Sequence, residues 1–257
     1  MNSTRSYVVT GAASGMGAAC AQLLSKAGHD VLTIDLADGV DVTGDLSTPV
    51  GRDAVTQAVT DRLERLDGLI CCAGAREARP DTVSVNYFGT VKVVLALREL
   101  LESSPAPRVV VTSSVATLLP NDPDIVAACL EDDEPRARSA GAKSTPDPTG
   151  RARVYSSTKT ALSQWMRQTA PRPEWAGAGI LLNAVAPGTT ATPMMADVLA
   201  SEDATRSWMQ FLPNTQDRFA TAAEVAEVMV WLASPQNSLL VGQELFADLG
   251  TELGLRS

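Results

Sequence analysis

Tyr155 and Lys159 stand four residues apart in VYSSTK, residues 154–159. In a helix, four steps carry the chain about 40° past a full revolution, so both side chains share one face. A free phenol titrates near pH ~10 and is a poor base at neutral pH. An ammonium beside it stabilises the phenolate, and a shift of two to three pKa units requires roughly 3–4 kcal/mol. A close, partly desolvated lysine can supply that much, whereas a solvated one cannot. The same spacing also fits the ordinary amphipathic start of a helix, so the pair gains meaning only from what converges on it. Upstream, TSSVA (112–116) closes an apolar run in two adjacent serines, Ser113 and Ser114. Strand alternation lets only one of them face a common site.

A second constellation lies at the N-terminus. VVTGAASGMG (8–17) ends an apolar run at Thr10, places Gly11, Gly15 and Gly17, and opens a helical segment. Glycines allow a sharp turn and the close approach of a pyrophosphate, and a helix N-terminus offers it free N–H groups. A plain strand-to-helix turn would use the same glycines, so the context decides. The next apolar run ends at Asp35, at the distance where a carboxylate binds adenine-ribose hydroxyls and repels the extra phosphate of NADP. No Arg or Lys at 11–17 or 36–37 offsets that repulsion, so NAD(H) is the expected cofactor. Asp45, in GDLS (44–47), is placed to hydrogen-bond the adenine amine, or else to cap a helix starting near Ser47, Thr48 and Pro49.

These residues need elements to position them. Strands are expected at 6–10, 30–35, 68–73, 108–113, 179–185 and 243–247. Helices are expected at 15–28, 50–66, 82–102, 155–170, 194–210 and 222–233. The strand runs are rich in Val, Ile and Leu and nearly continuous, as in strands buried on both faces. Alternating β and α units predict an α/β fold, a single-domain Rossmann-type doubly wound parallel sheet of about seven strands with helices on both faces. The irregular stretch is an insertion at 119–153, before the helix that opens at Tyr155. It holds five prolines and the acidic cluster LEDDEP. A short helix over 123–133 is expected, followed by a loop through RSAGAKSTPDPTG (138–150).

Composition narrows the function. The chain has 257 residues, 45% of them hydrophobic, with a formal net charge of −9. That balance, with no Lys/Arg run, speaks against nucleic-acid and anionic-membrane partners. Cys20, Cys71, Cys72 and Cys129 make no zinc or CxxC spacing. Adjacent Cys71 and Cys72 would point to opposite faces of a strand, so reduced, buried thiols are expected. No apolar leader or membrane-length window is present, and a soluble, cytoplasmic protein is expected. The sole histidine, His29, reads as a surface turn residue and Cys129 as a packing residue.

Taken in order, these motifs resemble the short-chain dehydrogenase/reductase family over essentially the whole chain. TGAASGMG (10–17), CCAG (71–74), VNYFGT (85–90), TSSVA (112–116), YSSTK (155–159) and APGTTATP (186–193) carry the resemblance. It implies a catalytic set of Asn86, Ser114, Tyr155 and Lys159, and favours Ser114 over Ser113. In the roles it implies, Tyr155 exchanges a proton with the alcohol or carbonyl, Ser114 holds the same oxygen, and Lys159 lowers the Tyr155 pKa and grips the nicotinamide ribose. Asn86 sustains a proton path through water to Lys159. The resemblance further implies a cofactor cradle of Gly11, Ser14, Gly15, Met16, Gly17, Asp35, Leu36, Asp45, Leu46, Cys72, Ala73, Gly74, Thr112, Tyr155, Lys159, Pro187, Gly188, Thr190 and Thr192, with no metal. Trp208, Met209 and Phe211 would form a hydrophobic substrate lid, or else pack in the core or an interface.

The sequence departs from the family pattern in two places. Cysteines stand at 71 and 72 where the family usually has two asparagines, and the stretch between Ser114 and Tyr155 is long. That insertion, with VSVNYFGT, SSVA and ADLGTELG, resembles the bacterial branch of 3α-hydroxysteroid dehydrogenase/carbonyl reductase. The branch implies NAD(H) and a small hydrophobic secondary or allylic alcohol, or its ketone. A non-catalytic NAD-binding regulator is the alternative. In the family, the helices beside the insertion often make a tetramer. Extra residues there point to a homodimer built on the last strand and its preceding helix, with a tetramer as the other possibility. The insertion is expected to act as an interface element or as a flap over the substrate.

Overall fold

In the computed structural model, residues 4–145 and 153–256 are described. The first half runs β1 (Ser6–Thr10), α1 (Gly15–Lys26), β2 (Asp30–Asp35), β3 (Val42–Thr43), α2 (Pro49–Thr60), β4 (Gly68–Cys71), α3 (Pro80–Val83), α4 (Thr90–Ala96), α5 (Arg98–Glu102) and β5 (Arg108–Thr112). Then come α6 (Pro123–Leu130), α7 (Glu134–Lys143), α8 (Val154–Thr169), β6 (Leu181–Pro187), β7 (Thr190–Ala191), α9 (Ala196–Leu199) and α10 (Glu202–Phe211). The chain closes with β8 (Ala220–Thr221), α11 (Ala222–Leu232), β9 (Glu244–Ala247) and α12 (Thr251–Arg256).

Among the described residues, seven strands form one parallel sheet in the order β3-β2-β1-β4-β5-β6-β9. Val8, Leu69 and Val109 face one apolar core, and their neighbours Val9, Ile70 and Val110 face the other. Both faces are covered by helices, which is why the strand sequences are continuously apolar. Strand order reverses between β1 and β4, and such a reversal opens a crevice at the carboxyl ends of the strands.

Several expected elements are corrected. The helix expected at 50–66 stops at Thr60. The strand expected at 68–73 stops at Cys71, although the Cys72 N–H still donates to the Thr10 carbonyl at 3.0 Å. The helix expected at 82–102 contains a π-helical turn at Ser84–Gly89 and breaks at Leu97. The helix expected at 194–210 is split into α9 and α10. His29 is half-buried, with its ring 5.3 Å from that of Tyr7.

The largest correction falls on the insertion, where α7 occupies residues expected as loop up to Lys143. Two of its prolines, Pro123 and Pro135, sit in first helical turns behind the N-caps Asp122 and Asp133, a position that proline favours. Residues 146–150 of the expected loop lie outside the described residues. The described part of the insertion is packed and not an open flap. Ile125, Ala128 and Cys129 are buried, and α6 packs on α7 and α8. Arg52 makes two hydrogen bonds to Glu134, at 2.6 and 3.3 Å. Arg138 ties α7 to Ser84 and Asp81 at 2.7 and 2.8 Å.

Candidate active site

Two adjoining hollows open at the carboxyl end of the sheet. The first lies at the N-terminus of α1. Gly11 takes φ +68°, and a Cβ there would sit 2.6 Å from the Ala73 nitrogen, so the turn packs directly on the end of β4. A Cβ on Gly17 would meet the Gly11 carbonyl oxygen at 2.1 Å, so α1 can start this close to the turn only with glycine there. The α1 N-cap, Ser14, makes no side-chain capping bond, and the first turn holds no acid. Its N–H groups are thus left for an external anion.

Asp35 closes the far side of this hollow. Its carboxylate accepts the Ala13 N–H at 2.9 Å and the Ala37 N–H at 3.0 Å. Asp45 lines the hollow as well, while its Oδ1 accepts the Ser47 N–H at 2.8 Å. Capping of α2 falls to Thr48, not Asp45. Ser14, Gly15, Met16, Leu36, Leu46, Cys72, Ala73, Gly74 and Thr192 complete the expected members of the lining. Arg79, a cation outside 11–17 and 36–37, also lines this hollow.

The second hollow lies at the start of α8 and shares Met16, Cys72, Gly74 and Thr192 with the first. Thr112, Ser114, Tyr155, Lys159, Pro187, Gly188 and Thr190 line it. Ser114 caps a short 3-10 turn, its Oγ accepting the Ala116 N–H at 3.1 Å, and it lines the hollow together with Tyr155. Ser113 donates to the buried Glu244 instead. The insertion helps to fix α8. Ser156 donates to the Pro120 carbonyl at 2.7 Å, and Ser157 Oγ accepts the Asp122 N–H at 2.8 Å.

Lys159 is only 4% exposed. Its Nζ donates to the Thr112 carbonyl at 2.7 Å and lies 5.7 Å from the Tyr155 ring centroid. Burial pushes this ammonium down to about 8, partly opposed by Cys72 and Cys71. Burial raises the Tyr155 phenol above its ordinary value, and the groups that pull it back are Ser114, by hydrogen bonding, and Arg76, by charge. Arg76, a cation outside the expected set, thus joins Lys159 near the phenol. Arg76 follows the CCAG stretch in the loop after β4, where no periodic signal marked it.

Asn86 lines neither hollow. It is fully buried in the π-helical turn, where its Oδ1 accepts the Ala75 N–H at 2.8 Å. Its Nδ2 donates to the Ala75 carbonyl at 2.9 Å and to Thr158 Oγ1 at 3.1 Å. The side chain thus clamps the loop after β4 to α8, beside Lys159.

Cys71 packs in one core and Cys72 against the other, as their alternation requires. Cys72, however, is half-buried and reaches both hollows. Trp208 and Phe211 line the α8 hollow with Leu212, Met194 and Met195, and Trp208 Nε1 donates to Thr189 Oγ1 at 2.9 Å. Met209 is on the other side of α10, in a separate hollow with Leu199. Among the described residues no His/Cys/Asp/Glu cluster could hold a metal, and no helix is long and apolar enough to cross a membrane.

Residues 5–124 match the family model described as short chain dehydrogenase, and residues 139–252 match the one described as enoyl-(acyl carrier protein) reductase. A 3-alpha-hydroxysteroid dehydrogenase/carbonyl reductase of Comamonas testosteroni is 35% identical over 97% of both chains. The chain belongs to the short-chain dehydrogenase/reductase family. A cis-4-hydroxycyclohexanecarboxylate dehydrogenase of Sinomonas cyclohexanicum, also similar to this family member, is 32% identical over 96% of both chains. The crystal structure of the 3-alpha-hydroxysteroid dehydrogenase from Pseudomonas sp. B-0831, complexed with NADH, superposes with a TM-score of 0.88 at 36% identity, covering 98% of both chains. As a short-chain dehydrogenase/reductase, the protein is a nucleotide-dependent oxidoreductase of alcohols and carbonyl compounds.

Proposed function

We propose that the protein interconverts a hydrophobic secondary or allylic alcohol and its ketone using NAD(H). The observation that carries this reading is the meeting of two hollows. A nucleotide cradle runs directly into an apolar-walled cleft with Tyr155, Ser114 and Lys159 in its lining.

The residues present fit the cofactor. The uncapped first turn of α1 suits the pyrophosphate, and Asp35 suits the ribose hydroxyls. When bound, NAD(H) supplies the hydride acceptor or donor. The chain's own part is proton handling and positioning. Ser114 and Tyr155 hold the substrate oxygen. Tyr155 accepts its proton in oxidation and returns it in reduction. Ser114 stabilises charge on that oxygen. Lys159, fixed to Thr112, is placed to hold the ribose next to Tyr155, and Pro187, Gly188, Thr190 and Thr192 wall the nicotinamide side. Trp208, Phe211, Leu212 and Met195 exclude water and favour a cyclic, aryl or terpenoid body, such as a hydroxysteroid.

Asp35 supports NAD(H) over NADP(H). A screen of steroid, aryl and terpene alcohols with both cofactors in parallel tests the reading. The wild type is expected to favour NAD⁺ by about tenfold or more in kcat/KM, and Asp35→Ser to narrow the gap. Equal use of NADP⁺ by the wild type would overturn the cofactor assignment, with Arg79 then the first residue to suspect.

We also infer a homodimer. Helices α6 and α7 cover part of the α3–α8 face, which supports an interface elsewhere. Trp231 of α11 is 46% exposed, and Leu239, before β9, is 88% exposed. Light scattering should give a dimer mass. A tetramer built through 82–102 and 155–170 would refute this.

A further inference from the structure

The charge lining the α8 hollow runs against the rest of the molecule. Acids outnumber bases 30 to 21 in the chain. Among the described residues, however, the charged groups lining this hollow are Arg76, Arg153 and Lys159, and no Asp or Glu lines it. Lys159 is committed to Thr112 at 2.7 Å. Arg76 pairs with Asp197, a solvent-exposed carboxylate, and Arg153 Nε has no partner among the described residues.

Arg153 stands at the start of α8, two residues before Tyr155, and its Nε is buried without a hydrogen-bond partner among the described residues. A buried donor in that state is destabilised until an acceptor reaches it. The Arg76 guanidinium lies 5.8 Å from the centroid of the Trp208 ring and pairs with Asp197 of α9, a carboxylate 67% exposed to solvent. Such screened pairs contribute little and exchange readily for a better-placed anion. Neither arginine lines the α1 hollow, where the pyrophosphate is proposed to bind, so cofactor phosphates do not account for them.

We propose that the substrate carries an anionic group, a carboxylate or sulfonate, on its apolar ring body, and that Arg153, assisted by Arg76, receives that group while Tyr155 and Ser114 hold the reacting oxygen. This rests on the oxidoreductase reading and narrows its substrate class. A guanidinium matches the planar fork of a carboxylate, and such bonds are strongest where water is excluded, as between Trp208, Phe211 and Leu212.

The test compares NADH-dependent reduction of para-acetylbenzoate and para-acetylbenzamide, which share ring and ketone but differ in charge. Wild type, Arg153→Gln, Arg153→Lys and Arg76→Gln are assayed side by side, each checked for an unchanged melting transition. In the wild type, kcat/KM should favour the carboxylate by about tenfold or more, mainly through KM. The carboxylate-to-amide ratio should fall toward unity in Arg153→Gln, fall less in Arg76→Gln, and be largely kept in Arg153→Lys. A wild-type ratio of one or below, or a ratio unmoved in both Gln variants, overturns the anion site and leaves the oxidoreductase reading standing. Where neither ketone turns over, calorimetric binding decides. Equal binding of the two overturns the proposal, and a carboxylate preference lost in Arg153→Gln upholds it. The oxidoreductase reading itself fails only if the broader alcohol screen fails as well.

Discussion

Tyr155→Phe is expected to lower turnover by about a thousandfold while NAD(H) binding is retained. The substitution removes the oxygen proposed to exchange a proton with the substrate, and it leaves the ring in place. Positioned general acid–base groups contribute typically ~10²–10⁴-fold, or about 3–5 kcal/mol of barrier. Tyr155 is half-buried at the edge of a hollow, so loss of its hydroxyl should change stability by less than about 1 kcal/mol. Alcohol oxidation by the wild type should rise with pH, because burial holds the phenol above its ordinary value and the base form must be generated. Ketone reduction, which needs the neutral phenol, should fall at high pH. Steady-state rates, with NADH binding followed by fluorescence, check both statements, and a full-rate Tyr155→Phe enzyme would sink the mechanism.

The second large effect concerns Lys159, where function and stability oppose each other. In the fold its ammonium is pushed from 10.5 down to about 8, chiefly by burial. The sign follows from proton counting. Between pH 8 and 10.5 the unfolded chain binds a proton that the folded chain does not, so wild-type stability gains with rising pH across this window. Below pH 8 both states hold the proton, and the cost of the buried charge is present in full.

Two to three pKa units correspond to about 3 kcal/mol. Lys159→Met removes that dependence. Subtracting its urea-unfolding free energy from that of the wild type should leave a difference that grows by about 3 kcal/mol across the window. At neutral pH the variant should match or exceed the wild type in stability despite losing the Thr112 bond, and its turnover should collapse. Parallel stability–pH curves for the two proteins would show that Lys159 is not the strained group inferred here.

The fold and the glycine turn after β1 are legible because their signals are local. Val8/Val9, Leu69/Ile70 and Val109/Val110 face opposite cores, so the runs read as doubly buried strands. Gly11 and Gly17 are required by approaches of 2.6 and 2.1 Å, and both lie in one short stretch with Asp35 one strand away. What was not legible depends on distant chain segments meeting. Arg76 takes its meaning from Asp197 and Trp208, which are brought to it by α9 and α10. Arg153 is one arginine in a polar stretch until the hollow forms around it. Pro135 looks like a helix breaker unless the cap Asp133 is read with it, which is why most of α7 reads as loop in the sequence. The partner of Lys159 is a backbone carbonyl on β5, which leaves no trace in side-chain spacing.

The central claim is that Tyr155 and Ser114 present a carbonyl oxygen for reduction by hydride delivered at the junction of the two hollows. The most direct measurement is reduction of a cyclic ketone with NADH deuterated at its transferable position, followed by mass and NMR analysis of the alcohol. One deuterium is expected on the carbinol carbon with the wild type, with about a thousandfold slower formation of that alcohol in Tyr155→Phe. Unlabelled alcohol from the wild type, or labelled alcohol formed at wild-type rate by Tyr155→Phe, would contradict it.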